Sequence, residues 1–128
     1  MLRHEIPVGT ICGSMLKIGE KSCIRPVLVI GREDVQGSCD YTCLPVSRVT
    51  SSNRIDPNYD VKITTVNHPK LNMQYEEQYI RSHKVMTLNS CSMYCNKPVH
   101  LDLEYPDTYS DVISCYSNFA KTLFKNTI

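Results

Sequence analysis

Ile24 to Gly31 reads IRPVLVIG, and no other stretch restricts the fold as tightly. After Pro26 come four aliphatic residues, Val27 to Ile30, and three of them are β-branched. Such side chains are stiff at χ1 and pack well on a pleated surface. A run that is apolar at every position, bounded by Pro and Gly, belongs to a strand in the core of a sheet. Arg25 stands directly before the proline at the head of this strand. A guanidinium there is not buried cheaply, so Arg25 is either a solvated cap or is aimed at a negative charge.

Around that strand the chain reads as a series of short strands. Val8–Leu16 is a first strand, with Gly9 and Gly13 as bend points, and Lys17–Ser22 is a polar turn carrying Gly19. The core strand covers Arg25–Gly31. Asp34–Asp40 is a hairpin loop and Tyr41–Val46 the next strand, with Pro45 marking an edge or an end. A polar Ser/Arg-rich segment, Ser47–Asn58, follows. Tyr59–Thr65 alternates like a strand, and Gln78–Ile80 and Lys84–Leu88 supply one or two more. Asp107–Lys125 is helical, with Val112, Ile113, Tyr116, Phe119, Ala120 and Leu123 at spacings of three and four. Asp107 after Pro106 suits an N-cap, and Asp111 lies near the positive end of the helix dipole. Five to seven short strands closed by one helix predict a mainly-β chain with one α element: a small twisted barrel that removes its own edges. At 128 residues the chain makes one domain, residues 1–128.

A net charge of +1 gives no global field, so any polyanion site must be a local concentration of Lys and Arg. The seven cysteines are an odd number, and MLRHEIPVGTICGSM lacks the apolar core of a signal peptide. Both features predict a cytoplasmic protein with free thiols. No apolar run approaches a membrane span, so no membrane partner is expected. The pairs Cys39/Cys43 and Cys91/Cys95 invite a zinc test, but knuckles use tighter, turn-set spacing and no His sits at finger distance. Buried or casual thiols, with no metal, are the expectation.

VGTI at 8–11, IRPVLVI at 24–30, LPVS at 44–47, DVKI at 60–63 and YIRSHKVMTL at 79–88 follow one another in an order that resembles the MazF/PemK-type toxin endoribonucleases. The resemblance covers most of residues 7–90. It implies an SH3-like barrel that cuts single-stranded RNA without cofactor or metal. The family's arginine before proline falls on Arg25, and its active-site threonine at a strand end falls on Ser47. Serine keeps the hydroxyl but loses the β-branched stiffness that holds one rotamer. YIRSHK, the loop after Ser47 and the C-terminal helix are also similar to the ToxN, CptN and TenpN toxins, which are neutralised by a structured RNA.

The chemistry fits these residue types. RNA carries its own nucleophile in the 2′-hydroxyl, so an enzyme needs a cation on the phosphate, donors beside it and groups that move protons. Arg25 is the natural cation, because its fork holds two phosphate oxygens at once. Ser47 is the donor, with Arg48, Thr50 and Ser51 lining the same rim and Arg54 in the loop beyond. His83 is suited to proton transfer near neutral pH. The resemblance places it, with Arg81 and Lys84, close to the groove. Tyr59, Tyr75 and Tyr79 are candidates for base stacking.

The expected partners are an RNA substrate and a cognate antitoxin, a structured RNA or a small protein, in a homodimer or a higher assembly; DNA is not required. Two other functions stay open on the sequence. One is a non-catalytic SH3-like module that binds nucleic acid or protein. The other is a small zinc-binding regulator built on the cysteine pairs.

Overall fold

The computed structural model describes residues 6–18, 20–35 and 38–125. The strands are β1 (Thr10–Ile18), β2 (Lys21–Val35), β3 (Ser38–Ser47), β4 (Asp60–Thr64), β5 (Glu77–Arg81), β6 (Met86–Asn89) and β7 (Met93–His100). A single turn of helix, α1 (Leu101–Glu104), leads into α2 (Pro106–Lys125). The strands join in the order β4-β5-β3-β2-β1-β7, with β6 added to β3. The ends of that path, β4 and β7, do not pair with each other among the described residues, and β6 pairs only with β3, so the barrel is open and keeps edges at β4, β6 and β7.

β2 is the spine. It pairs with β1 over Lys21–Leu28 and with β3 over Val27–Val35. Val27 and Val29 pack in one cluster with Cys12, Tyr41, Cys43 and Met93. Leu28 packs in a second, with Leu44, Val46, Ile63 and Ile80. The strand is therefore buried on both faces, which is why its sequence is apolar at every position rather than at every second one. Pairing with β3 begins only after Pro26, where a residue lacking an N–H is tolerated.

β3 changes partner along its length. Asp40–Cys43 pair with β6, and Val46–Ser47 pair with β5. Leu44 and Pro45 fall in the gap between the two partners. The edge expected at Pro45 is thus a local opening inside a strand rather than the strand's end.

Gly9 ties three elements together. Its N–H donates to the Val29 carbonyl at 2.7 Å, and its own carbonyl accepts from Leu101 N–H at 2.9 Å. It holds φ at +96°, and a Cβ there would collide with the Asp102 side chain. Only glycine meets both demands.

Some expectations need correction. β7 was not anticipated, because MYCNKPVH mixes Asn, Lys and Pro into an edge strand. Its register against β1 shifts between Ile11 and Gly13. Pro106 opens α2, so Asp107 lies inside the first turn instead of capping it. Proline at the first helical position loses no bond there. The helix is buried only at Val112, with Tyr109 and Tyr116 packed beside it, while Leu123 is 51% exposed. Gly19 of the first turn, and Gln36 and Gly37 of the hairpin loop, lie outside the described residues.

Candidate functional site

The sheet carries a cleft of about 630 Å³. Gly13 of β1, Arg25 of β2, Ser47 of β3, Gln78 of β5 and Lys97 of β7 line it, together with the loop Leu71–Tyr75. Arg25 and Ser47 meet here because of register. The last bonded pair of β2 and β3 at this end is Val27–Pro45. Arg25 lies two residues before Val27 and Ser47 two residues after Pro45, so both stand one pleat beyond the ladder on adjacent strands. Ser14 Oγ donates to the Arg25 carbonyl at 3.3 Å and fixes the backbone behind the guanidinium.

Three cations, Arg25, Arg48 and Lys97, line the cleft, and none of its described lining residues is acidic or a histidine. In a chain of net charge +1 this is the local concentration that a polyanion requires. All three side chains are exposed, and among the described residues neither Arg25 nor Lys97 has an ion-pair partner. The Arg48 guanidinium lies 4.3 Å from the centre of the Tyr75 ring, a cation–π contact that leaves its charge uncompensated. Lys97 reaches the cleft from the irregular stretch of β7. The floor is apolar, with Ile11, Ile63 and Leu71. The site can hold phosphates at its rim and a planar apolar group below.

The remaining candidates are placed differently. Thr50 lines the cleft with Arg48, whereas Ser51 precedes the turn Ser52–Arg54 and lines neither this cleft nor the next. Arg54, Arg81, His83 and Lys84 line a second pocket of about 580 Å³ that shares no residue with the first. The cause is strand direction. β5 runs antiparallel to β3, with Tyr79 opposite Ser47 and Ile80 opposite Val46. It brings Gln78 to the cleft and carries His83 away from it.

There Arg81 is already engaged. Its Nε donates to Asp60 Oδ1 at 3.1 Å, and its Nη2 donates to Asp60 Oδ2 at 3.3 Å and to the Arg54 carbonyl at 2.8 Å. The Asp60 carboxylate is fully buried. His83 Nδ1 lies 3.7 Å from Asp60 Oδ1 without a hydrogen bond, and the ring packs against Tyr59 and Phe119. Of the tyrosines, Tyr75 is at the cleft and Tyr59 is a packing residue here.

No family model matches this sequence, and no curated protein does either. The folded chain, by contrast, superposes on Mycobacterium tuberculosis toxin MazF-mt6 with a TM-score of 0.59, over 87% of this chain and 95% of that one, at 16% identity. The chain has the MazF-type fold. Within that fold, Cys43 and Cys95, one from each pair, both neighbour Cys12 in the core. Cys39 and Cys43 are buried on β3, Cys91 is exposed, and Cys95 is half-buried on β7. No group of three or more His, Cys, Asp or Glu able to share a metal ion occurs among the described residues. Burial pushes the Cys43 thiol up to about 12, and burial together with neighbouring Cys95 raises Cys12 further. No helix among the described residues is long and apolar enough to cross a membrane.

Sequence reasoning missed two residues of the cleft. Lys97 sits in a strand that its composition disguises. Gln78 is polar at a position where the alternation of β5 points inward, a signal that becomes legible only once the register is known.

Proposed function

We propose that this protein is an endoribonuclease toxin that cuts single-stranded RNA in the cleft between Arg25 and Ser47. One observation carries the proposal: a guanidinium inside β2 and a hydroxyl at the end of β3, both just beyond the β2–β3 ladder, share a cleft with two further cations and no acid among its described lining residues. The fold shared with a MazF toxin supports it. The RNA 2′-oxygen attacks phosphorus, the bond to the 5′-oxygen breaks, and the products carry a 2′,3′-cyclic phosphate and a 5′-hydroxyl. The proton lost from the 2′-hydroxyl is balanced by one gained at the leaving oxygen. Arg25 holds the non-bridging oxygens as their charge grows, and Ser47 donates a hydrogen bond to one of them. Arg48 and Lys97 bind neighbouring phosphates, and Thr50 adds a donor at the rim.

His83 takes no part in this scheme, because it lines the other pocket. Arg54 and Lys84 form a separate basic surface there. Cleavage therefore rests on charge neutralisation and positioning, with protons exchanged with solvent. A cognate antitoxin occupies the same cleft. A structured RNA is favoured over a protein, since a cleft built for RNA accepts it as a product mimic.

The lack of an imidazole or carboxylate among the described lining residues favours one alternative, a non-catalytic RNA-binding module on the same fold. Incubating the purified protein with single-stranded RNA in the presence of a chelator, and identifying the ends formed, separates the two. Cyclic phosphate and 5′-hydroxyl ends are expected. Binding without cleavage supports the module, and 5′-phosphate ends overturn the mechanism.

A further inference from the structure

Gln78 occupies a position that packing alone would give to an aliphatic residue. It lies on β5 directly opposite Ile63, which is 1% exposed, and on the same strand face as Ile80, which is fully buried. Gln78 itself is only 6% exposed, and the surface it keeps opens on the cleft floor. Among the described residues nothing hydrogen-bonds to its carboxamide. The carboxamide is not among the buried unpaired polar atoms of the described residues, so its amide still meets solvent in the cleft and is open to something that arrives from outside. A neutral amide cannot neutralise phosphate, but it offers a donor and an acceptor side by side in one plane. That pattern matches the edge of an unstacked nucleobase. Gln78 and Ser47 both line this cleft, so the amide shares it with the proposed scissile phosphate. Tyr75, carrying the Arg48 guanidinium on its ring, adds an aromatic face to the same cleft.

We infer that Gln78 reads the base next to the scissile phosphate and sets the sequence preference of the cleft. The inference rests on the cleft being an RNA site, and it concerns a specificity residue rather than a catalytic one.

The test uses Gln78→Met, which keeps the shape and removes the amide, and Gln78→Glu, which keeps the shape and leaves only acceptors. Cleavage sites on a random-sequence RNA are mapped for all three proteins. Wild type is expected to favour one base at a position flanking the cut. The Met variant is expected to lose that preference by roughly 5- to 150-fold, the discrimination of a bidentate base contact. The Glu variant is expected to move the preference at the same position toward guanine, whose Watson–Crick edge offers two adjacent donors. Unchanged preference in the Met variant overturns the inference, as does a uniform fall in rate at every site.

A second measurement is independent of cleavage. Single-stranded oligomers of A, C, G and U are bound by wild type with unequal affinity and by the Met variant with equal affinity. If wild type binds RNA without cutting it, the nuclease proposal fails while base reading stands. If the Met variant keeps the wild-type order of affinities, base reading fails. The Met variant is also expected to keep or raise the thermal midpoint, since no described group bonds to the amide it removes; a lowered midpoint would mark Gln78 as structural and overturn the inference.

Discussion

The three cations of the cleft make the salt dependence of RNA binding predictable. Arg25, Arg48 and Lys97 line it without an acidic neighbour, so a bound strand can place one phosphate on each. Each neutralised phosphate on a single strand contributes about −0.7 to the slope of log affinity against log salt, so three give about −2. Between about 50 and 200 mM salt, affinity should then fall roughly twenty-fold. Removing one cation by Lys97→Ala should bring the slope to about −1.4 and the loss to roughly seven-fold. The assay is fluorescence anisotropy with a short 2′-O-methylated strand, which binds but lacks the nucleophile. Arg54→Ala and Lys84→Ala serve as controls, because both residues line the other pocket. An unchanged slope in Lys97→Ala would refute the placement of the strand. So would a slope that falls in the two controls, which would put RNA on the second surface.

Further outcomes concern the scaffold around the cleft. Asp60→Ala removes a fully buried carboxylate that holds Arg81 and accepts the Asp56 N–H at 2.8 Å. It should cost about 3–5 kcal/mol in urea unfolding, part of it recovered by adding Arg81→Met; a loss below about 1 kcal/mol would mean the pair behaves as a surface bridge. His83→Gln should leave the cleavage rate and its pH profile unchanged, and loss of a limb near neutral pH would return His83 to the reaction. Cys43 is neutral in the fold, raised from its ordinary 9.0 to about 12 by burial. Its contribution to stability is therefore complete below about pH 9 and declines as pH rises toward about 12, which urea midpoints across that range would follow. Alkylation should label exposed Cys91 first; equal labelling of Cys43 in the native protein would contradict its burial.

The strand from Val27 to Ile30 was legible because burial on both faces leaves a continuous apolar run, and its shortness, β-branching and flanking Pro and Gly separate it from a buried helix. β7 was not, because Asn96, Lys97 and Pro98 suit an irregular edge and so resemble a loop. Helix α2 could be read from its spacing, but its depth of burial could not. How much of a helix a sheet covers depends on how the sheet curls, and Leu123 and Phe124 remain outside. At the site, Arg25 and Ser47 came from an order of short motifs that resembles a toxin family's. Lys97 and Gln78 come from strands far along the chain, joined only by register. His83 shows the limit of proximity in sequence. It is four residues from Tyr79, the partner of Ser47, yet an antiparallel strand carries it away from the cleft.

The central claim is that Arg25 and Ser47 act on one phosphate, and a double-mutant cycle on single-turnover RNA cleavage measures it. Arg25→Ala and Ser47→Ala should each slow cleavage by roughly 10²–10³, the effect of removing one transition-state donor. The double variant should be slowed far less than the product of the two, because the second change removes a partner of an interaction already lost. Independent effects that multiply, or an Arg25→Ala variant that cleaves at the wild-type rate, would contradict it.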